Sequence, residues 1–173
     1  QGKALYVGIS KYPPAQAKIA YEMLRAAGVP CLISQYRYSM FDRTVEEKSL
    51  PLAAEQGSGF IAFSPLAQGL LTKKYLHGIP EHSRAARSTG FLKVDQVTED
   101  KVGKARRLDE IAARRGQTLA EMALAWVLKD ERMTSVIVGT SSVKQLADNL
   151  HALDNLNFTN DCLLYTSDAA DDK

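Results

Sequence analysis

Polar and cationic side chains gather behind one apolar run. Phe60-Ile61-Ala62-Phe63 is followed by Ser64-Pro65, then by Gln68, Lys73 and Lys74, and further on by Arg84 and Arg87. Polar groups and then cations at the carboxyl end of a buried strand stand where α/β proteins place ligands. The bland alternative carries equal weight, since a strand leaving through Pro and Gly into a loop occurs in most α/β domains. Metal chemistry finds no support. None of the histidines, His77, His82 and His151, pairs with Cys, Asp or Glu at ligand spacing, and all three read as single surface side chains.

These residues need elements to position them. Ala4 to Ile9 reads as a buried strand ending at Ser10, and Pro13-Pro14 opens a helix at the position where a missing N–H costs nothing. Ile19, Ala20, Met23, Leu24 and Ala27 follow helical spacing, with Gly28 placed to end the helix. A second strand runs from Cys31 to Ser34 and ends at Gln35-Tyr36, and a short helix over 46–56 leads to the strand Phe60–Phe63. The connection from Ser64 to Val97 is long, and structureless connections of that length are often functional. Thr98-Glu99-Asp100 starts a helix that buries Val102, Ala105, Leu108, Ile111 and Ala112, and Gly116 stops it. Thr118 to Glu121 is a capping box, opening a helix that buries Leu119, Met122, Ala123, Trp126 and Val127. A fourth strand, Ser135 to Val138, ends at Gly139-Thr140-Ser141, and the helix after it is expected to bury Val143, Leu146, Ala147 and Leu150.

Short buried strands alternating with helices predict a parallel sheet with right-handed crossovers. No GxGxxG follows any strand, so a dinucleotide fold of that type is unsupported. Four βα units are half of a (β/α)8 barrel, whose usual size is about 250 residues, and the chain has 173. An open half leaves two strand edges unpaired, a liability.

Composition narrows the partners. A formal net charge of +2 gives no reason to propose nucleic acid or a membrane surface. No apolar run reaches transmembrane length. Two cysteines make no disulfide framework, and Cys31 reads as a buried free thiol. A cytoplasmic protein is the expectation.

Several motifs, in order, resemble the aldo-keto reductase superfamily. They are residues 2–10, Phe63 to Leu71, Gly78-Ile79-Pro80 with Ser83-Arg84, Ser135 to Gly139, and Gln145 to Asn149. The nearest branch joins bacterial reductases of a small phosphorylated aldehyde with the β subunits of voltage-gated potassium channels. The resemblance implies a C-terminal half, strands five to eight of a TIM barrel, over residues 1–160. It implies carbonyl reduction by hydride transfer from NADPH, with the catalytic Asp, Tyr, Lys and His on the first four strands. No catalytic residue is therefore assigned, and the fragment alone is expected not to turn over.

The resemblance also assigns a cofactor site. Ser10 would hydrogen-bond the nicotinamide carboxamide together with Gln35, whose donor and acceptor suit a primary amide. Phe63 would stack on the nicotinamide ring and fix which face presents its hydride. Ser64, Leu66, Gln68 and Lys74 match the loop over the pyrophosphate, where backbone N–H groups and a lysine charge serve a diphosphate. Arg84 matches an arginine near the adenosine. Gly139, Ser141, Gln145 and Asn149 match the adenosine-phosphate site, where a helix N-terminus supplies N–H donors. Ser142 to Gln145 also reads as a capping box, which makes Gln145 structural without a ligand. Many reductases carry Lys and Arg where this chain has Gly139 and Gln145, so NADH is not excluded, and Lys144 or Arg84 could compensate.

Two function classes follow. The first is the NADP(H)-binding half of a reductase acting on a small carbonyl substrate, with homo-oligomerisation of the full-length parent left open. The second is a channel-β-like, NADPH-binding regulatory module. The absence of a legible large exposed apolar stripe favours the enzyme. From about Cys162 the resemblance ends. Leu163 to Asp172 resembles read-through from a sequencing adapter, so 161–173 is expected to be a foreign tail outside the fold.

Overall fold

A computed structural model describes residues 2–87 and 89–170, with the side chains of residues 169 and 170 left aside. Its centre is a four-stranded sheet in the order β1-β2-β3-β4, formed by Val7–Ser10, Cys31–Arg37, Gly59–Phe63 and Met133–Ile137. Every neighbouring pair is parallel. The α/β class and parallel sheet predicted from the alternation are present, and they are consistent with part of a barrel.

Helix α1 (Pro14–Ala26) joins β1 to β2, and α2 (Ser49–Glu55) joins β2 to β3. Between β3 and β4 lie a long connection with three single 3-10 turns, at residues 67–69, 73–75 and 94–96, and then α3 (Glu99–Arg114) and α4 (Leu119–Leu128). The connection is therefore not structureless, as its sequence suggested. Single 3-10 turns have too short a period to leave a pattern. Helix α5 (Val143–Leu150) follows β4.

The stop and start between α3 and α4 follow local chemistry. Gly116 takes φ +69°, a left-handed conformation that favours glycine and ends α3. Thr118 Oγ1 then accepts from the Glu121 N–H, while the Glu121 carboxylate accepts from the Thr118 N–H at 2.7 Å. Both halves of the predicted capping box are formed.

The core lies on one face of the sheet. Phe60 and Ala62 of β3 and Tyr36 of β2 point into it and meet Leu108, Leu119, Met122, Trp126 and Val127. The Tyr36 and Phe60 rings stack with centroids 5.0 Å apart. A smaller cluster under α1 holds Ile9, Ala17, Tyr21 and Cys31. There the Tyr21 hydroxyl meets Ser34 Oγ at 2.5 Å, and Ser34 meets Ser58 at 3.1 Å, so these buried hydroxyls satisfy one another.

The opposite face of the sheet is open. Register places Ser10 beside Gln35, Gln35 beside Ile61, Ile61 beside Ser135, and Phe63 beside Ile137. None of these residues is buried.

One expectation fails in the helices flanking the sheet's ends. In α5, Val143, Leu146, Ala147 and Leu150 are exposed, and the buried residue is Asn149. In α1, Ala17 and Tyr21 are buried while Ile19 and Met23 face solvent. On α1 the apolar stripe is split, with Ala20 and Leu24 packed against the small cluster under the helix and Ile19 and Met23 in solvent, whereas on α5 Val143, Leu146, Ala147 and Leu150 all stay exposed. An exposed apolar stripe is thus present on α5, contrary to the sequence reading.

The segment expected to lie outside the fold is described as far as residue 170. It forms α6 (Asn160–Ala170), which packs on α3, with Cys162 and Leu163 against the core and Thr166 buried. Arg43 Nη1 donates to Ser167 Oγ at 3.1 Å. No helix among the described residues is long and apolar enough to cross a membrane.

Candidate cofactor cleft

A cleft of about 640 Å³ opens at the carboxyl ends of β3 and β4, between the loop that leaves Phe63 and the loop that leaves Ile137. The two walls differ in chemistry. The β3 side contributes Ser64, Gln68, Thr72, Lys74, His82, Arg84 and Arg87. The β4 side contributes Gly139, Thr140, Ser141 and Gln145, all uncharged. Among the described residues no carboxylate lines the cleft. Three Lys/Arg side chains without an acid give its lining a positive balance that suits an anion.

The β3 wall is a wound loop. Ser64, Ala67 and Gln68 take φ values of +54°, +47° and +62°. Three non-glycine residues in this left-handed region within five positions store strain, which concentrates where a loop must present groups to a ligand. Gln68 Nε2 donates to Ser64 Oγ at 2.8 Å, and Arg84 Nη1 donates to Gln68 Oε1 at 3.3 Å. Gly69, at φ +101°, brings the chain against the Tyr75 ring, only 3.3 Å from where a Cβ would stand. The Tyr75 hydroxyl accepts from the Ala85 N–H at 3.4 Å, joining the two ends of the wall. From outside, Arg106 donates through Nε and Nη2 to the Leu76 carbonyl at 3.1 and 2.8 Å, pinning the loop to α3.

The β4 wall ends in the start of α5. Ser142 Oγ accepts from the Gln145 N–H at 3.1 Å, the N-cap bond expected of a capping box. The returning bond differs. Gln145 Oε1 accepts from the Ser141 N–H at 2.9 Å and from Ser141 Oγ at 3.1 Å, one residue before the cap. Gln145 therefore occupies the N–H of Ser141, a residue that lines the cleft. The Arg84 guanidinium reaches across to this wall, with Nη2 3.7 Å from where a Cβ on Gly139 would stand.

Of the residues singled out in the sequence, Phe63, Ser64, Leu66, Gln68, Lys74, Arg84, Gly139, Ser141 and Gln145 line this one cleft. Ser10, Gln35 and Asn149 do not. Ser10 and Gln35 pair in register on the open face, further along the sheet. Asn149 is buried in α5, and its Nδ2 finds no partner among the described residues. Lys144 is engaged with Asp148 at 2.9 Å, away from the cleft. Arg87, Thr72, His82 and Thr140 line the cleft without having been assigned to it. Arg87 stands three residues after Arg84, and that spacing was the available signal.

A second polar cluster lies elsewhere, around the buried Trp126. Lys129 Nζ sits 3.5 Å from the indole centroid, and Tyr38 donates to Glu46 at 2.7 Å. Burial pushes the Lys129 ammonium down to about 8, against the pull of Glu46. Burial also raises the Glu46 carboxyl, but hydrogen bonds from Arg43 and Tyr38 outweigh it and hold the group below its usual range. Among the described residues no cluster of His, Cys, Asp and Glu could hold a metal ion.

An all-parallel α/β sheet with a cationic cleft at its carboxyl edge is consistent with part of a barrel, a fold that binds its ligands at that end. The aldo/keto reductase family model matches residues 1–165, and the chain belongs to that family. It is 48% identical over 162 residues to the L-glyceraldehyde 3-phosphate reductase of Escherichia coli O157:H7, and 46% identical over 162 residues to that of Escherichia coli strain K12. Each alignment covers 91% of this chain and 47% of the relative, so the chain spans about half the length of the curated relatives it matches.

Proposed function

We propose that this chain is the NADP(H)-binding half of a reductase for small aldehydes or ketones, corresponding to strands five to eight of a (β/α)8 barrel. The observation that carries the reading is the cleft, which gathers most of the expected cofactor residues and whose lining, among the described residues, holds Lys and Arg but no acid. A dinucleotide's diphosphate needs cations and N–H donors, and the β3 wall with Lys74, Arg84 and Arg87 supplies the first. The second comes from the start of α5, once Gln145 releases the Ser141 N–H. The bound nicotinamide would supply the hydride.

The chain's own residues would then position that group. Phe63, half-buried at the end of β3 on the open face, offers a ring for the nicotinamide to stack on, while Ser10 and Gln35 present hydroxyl and amide groups along the same face. Asn149, whose buried Nδ2 has no partner among the described residues, would turn to the adenine. Arg84 bridges both walls and would answer a 2′-phosphate in place of a basic residue at Gln145. The catalytic tetrad is read as belonging to a preceding half. The chain by itself is then a binder without turnover, and a small phosphorylated aldehyde is the substrate class for the whole reductase.

Titration of the chain with NADPH, followed by nicotinamide fluorescence, tests this. Saturable binding is expected at ~10 μM or weaker, displaced by adenosine 2′,5′-bisphosphate. No saturation at millimolar cofactor would overturn the reading. Reading the DNA upstream of Gln1 tests the catalytic part, with an Asp, a Tyr, a Lys and a His at successive strand ends as the expected outcome.

A further inference from the structure

Charged side chains gather around the buried Trp126, near the end of α4, and none of them lines the cleft. They come from two stretches of chain. Arg43 and Glu46 follow β2, while Lys129, Asp130 and Arg132 lie between α4 and β4. Four of the five are matched. Arg43 donates through Nε and Nη2 to the Glu46 carboxylate at 3.1 and 2.9 Å, and Arg132 donates through Nε to Asp130 at 2.8 Å. Glu46 also accepts from the Tyr38 hydroxyl.

Lys129 is the fifth charge. Both carboxylates are held by arginines, and among the described residues its ammonium makes no hydrogen bond or ion pair. Its contact is the indole face of Trp126, 3.5 Å from the ring centroid. Losing its proton would therefore break no ion pair. The Arg43 guanidinium stands 5.4 Å from the centroid of the same ring, and Arg43 and Arg132 both oppose a further positive charge here. Burial is the largest of the effects that push the ammonium down to about 8. An amine that is desolvated and set beside other cations is a nucleophile toward carbonyls. Lys129 is only half-buried, so a small molecule can reach it.

We propose that Lys129 is a covalent capture site for small aldehydes, which it takes as a Schiff base on the face of Trp126. The neutral Nζ attacks the carbonyl carbon, and the carbonyl oxygen takes up a proton. The resulting carbinolamine loses water to leave a C=N bond. One amine and one aldehyde thus give one imine and one water, with nothing oxidised or reduced. The surroundings select this electrophile over an acyl donor. A protonated imine keeps a positive charge over the indole face, where the ammonium already sits, whereas an amide would remove it. The site shares no residue with the cleft, so it stands whether or not the chain binds a nucleotide.

Reductive trapping tests the proposal. The full chain is incubated near neutral pH with propanal and sodium cyanoborohydride, which reduces an imine to a stable propylamine. Labelled lysines are then read by mass spectrometry of chymotryptic peptides. Lys129 should be labelled at least about tenfold faster than the exposed Lys144, which is paired with Asp148. The two rates should become equal once guanidinium chloride unfolds the chain. Equal rates in the folded chain overturn the proposal, as does a preference that survives unfolding. Arg132→Gln changes an exposed side chain and frees Asp130 to pair with Lys129. With the circular dichroism spectrum kept, it should slow Lys129 labelling about fivefold. Labelling at the wild-type rate in that variant would also overturn the proposal.

Discussion

Arg84 is the side chain on which the two walls of the cleft meet. It donates to Gln68 on its own wall and lies against Gly139 on the other. Replacing it with alanine removes a cation and one hydrogen bond from an exposed position. Arg84→Ala should weaken NADPH binding about tenfold, or ~1.4 kcal/mol, while changing unfolding stability by less than about 0.5 kcal/mol. Fluorescence titration and urea unfolding of the same variant separate the two effects. Lys129 gives a different readout, because its ammonium is disfavoured in the folded chain and not in the unfolded one. With a folded value of about 8 against 10.5, the unfolded state holds more protons between those two values. Stability conferred at this position is therefore lowest below pH 8 and rises as pH climbs above it. The wild type should gain on Lys129→Met between pH 7.5 and 9.5 in parallel urea titrations; a constant gap across that range would remove the argument.

Among the elements, α4 was the most legible, because its signals agree. The capping box, the continuous apolar face and Trp126 all place it in the core, and all are found there. Thr118→Ala should cost about 1 kcal/mol in urea unfolding, since it leaves the Glu121 N–H without its cap. Ser142→Ala at the start of the exposed α5 should cost less. Helix α5 shows the limit of the same method. Periodicity reports that Val143, Leu146 and Leu150 share a side, and it carries no information on whether anything is there to cover that side. Asn149 is buried for the converse reason, since it sits on the face that packs toward α4 and the turn at 151–154. In the cleft, Ser64, Lys74 and Arg84 could be named from motif order. The left-handed conformations of Ala67 and Gln68 could not, because neither residue type demands them.

At the scale of the molecule, strand succession sets an order of assembly. Strands β1, β2 and β3 each join a neighbour one βα unit away, so their pairings close short segments of chain. Phe60 and Met133, by contrast, meet only after the long connection and both of the helices α3 and α4 lie between them. Closing a longer loop carries a larger entropic cost before any contact repays it. The β3–β4 pairing should therefore come after the folding barrier. Met133→Ala, removing a buried side chain from β4, should speed unfolding about tenfold or more and change the folding rate less than about twofold. Stopped-flow urea kinetics at low protein concentration would read both rates. A chain emerging from the ribosome would thus have its cationic loop displayed on a three-stranded nucleus for some time before the uncharged wall arrived to face it. During that interval any polyanion in the surroundings could reach those cations unopposed.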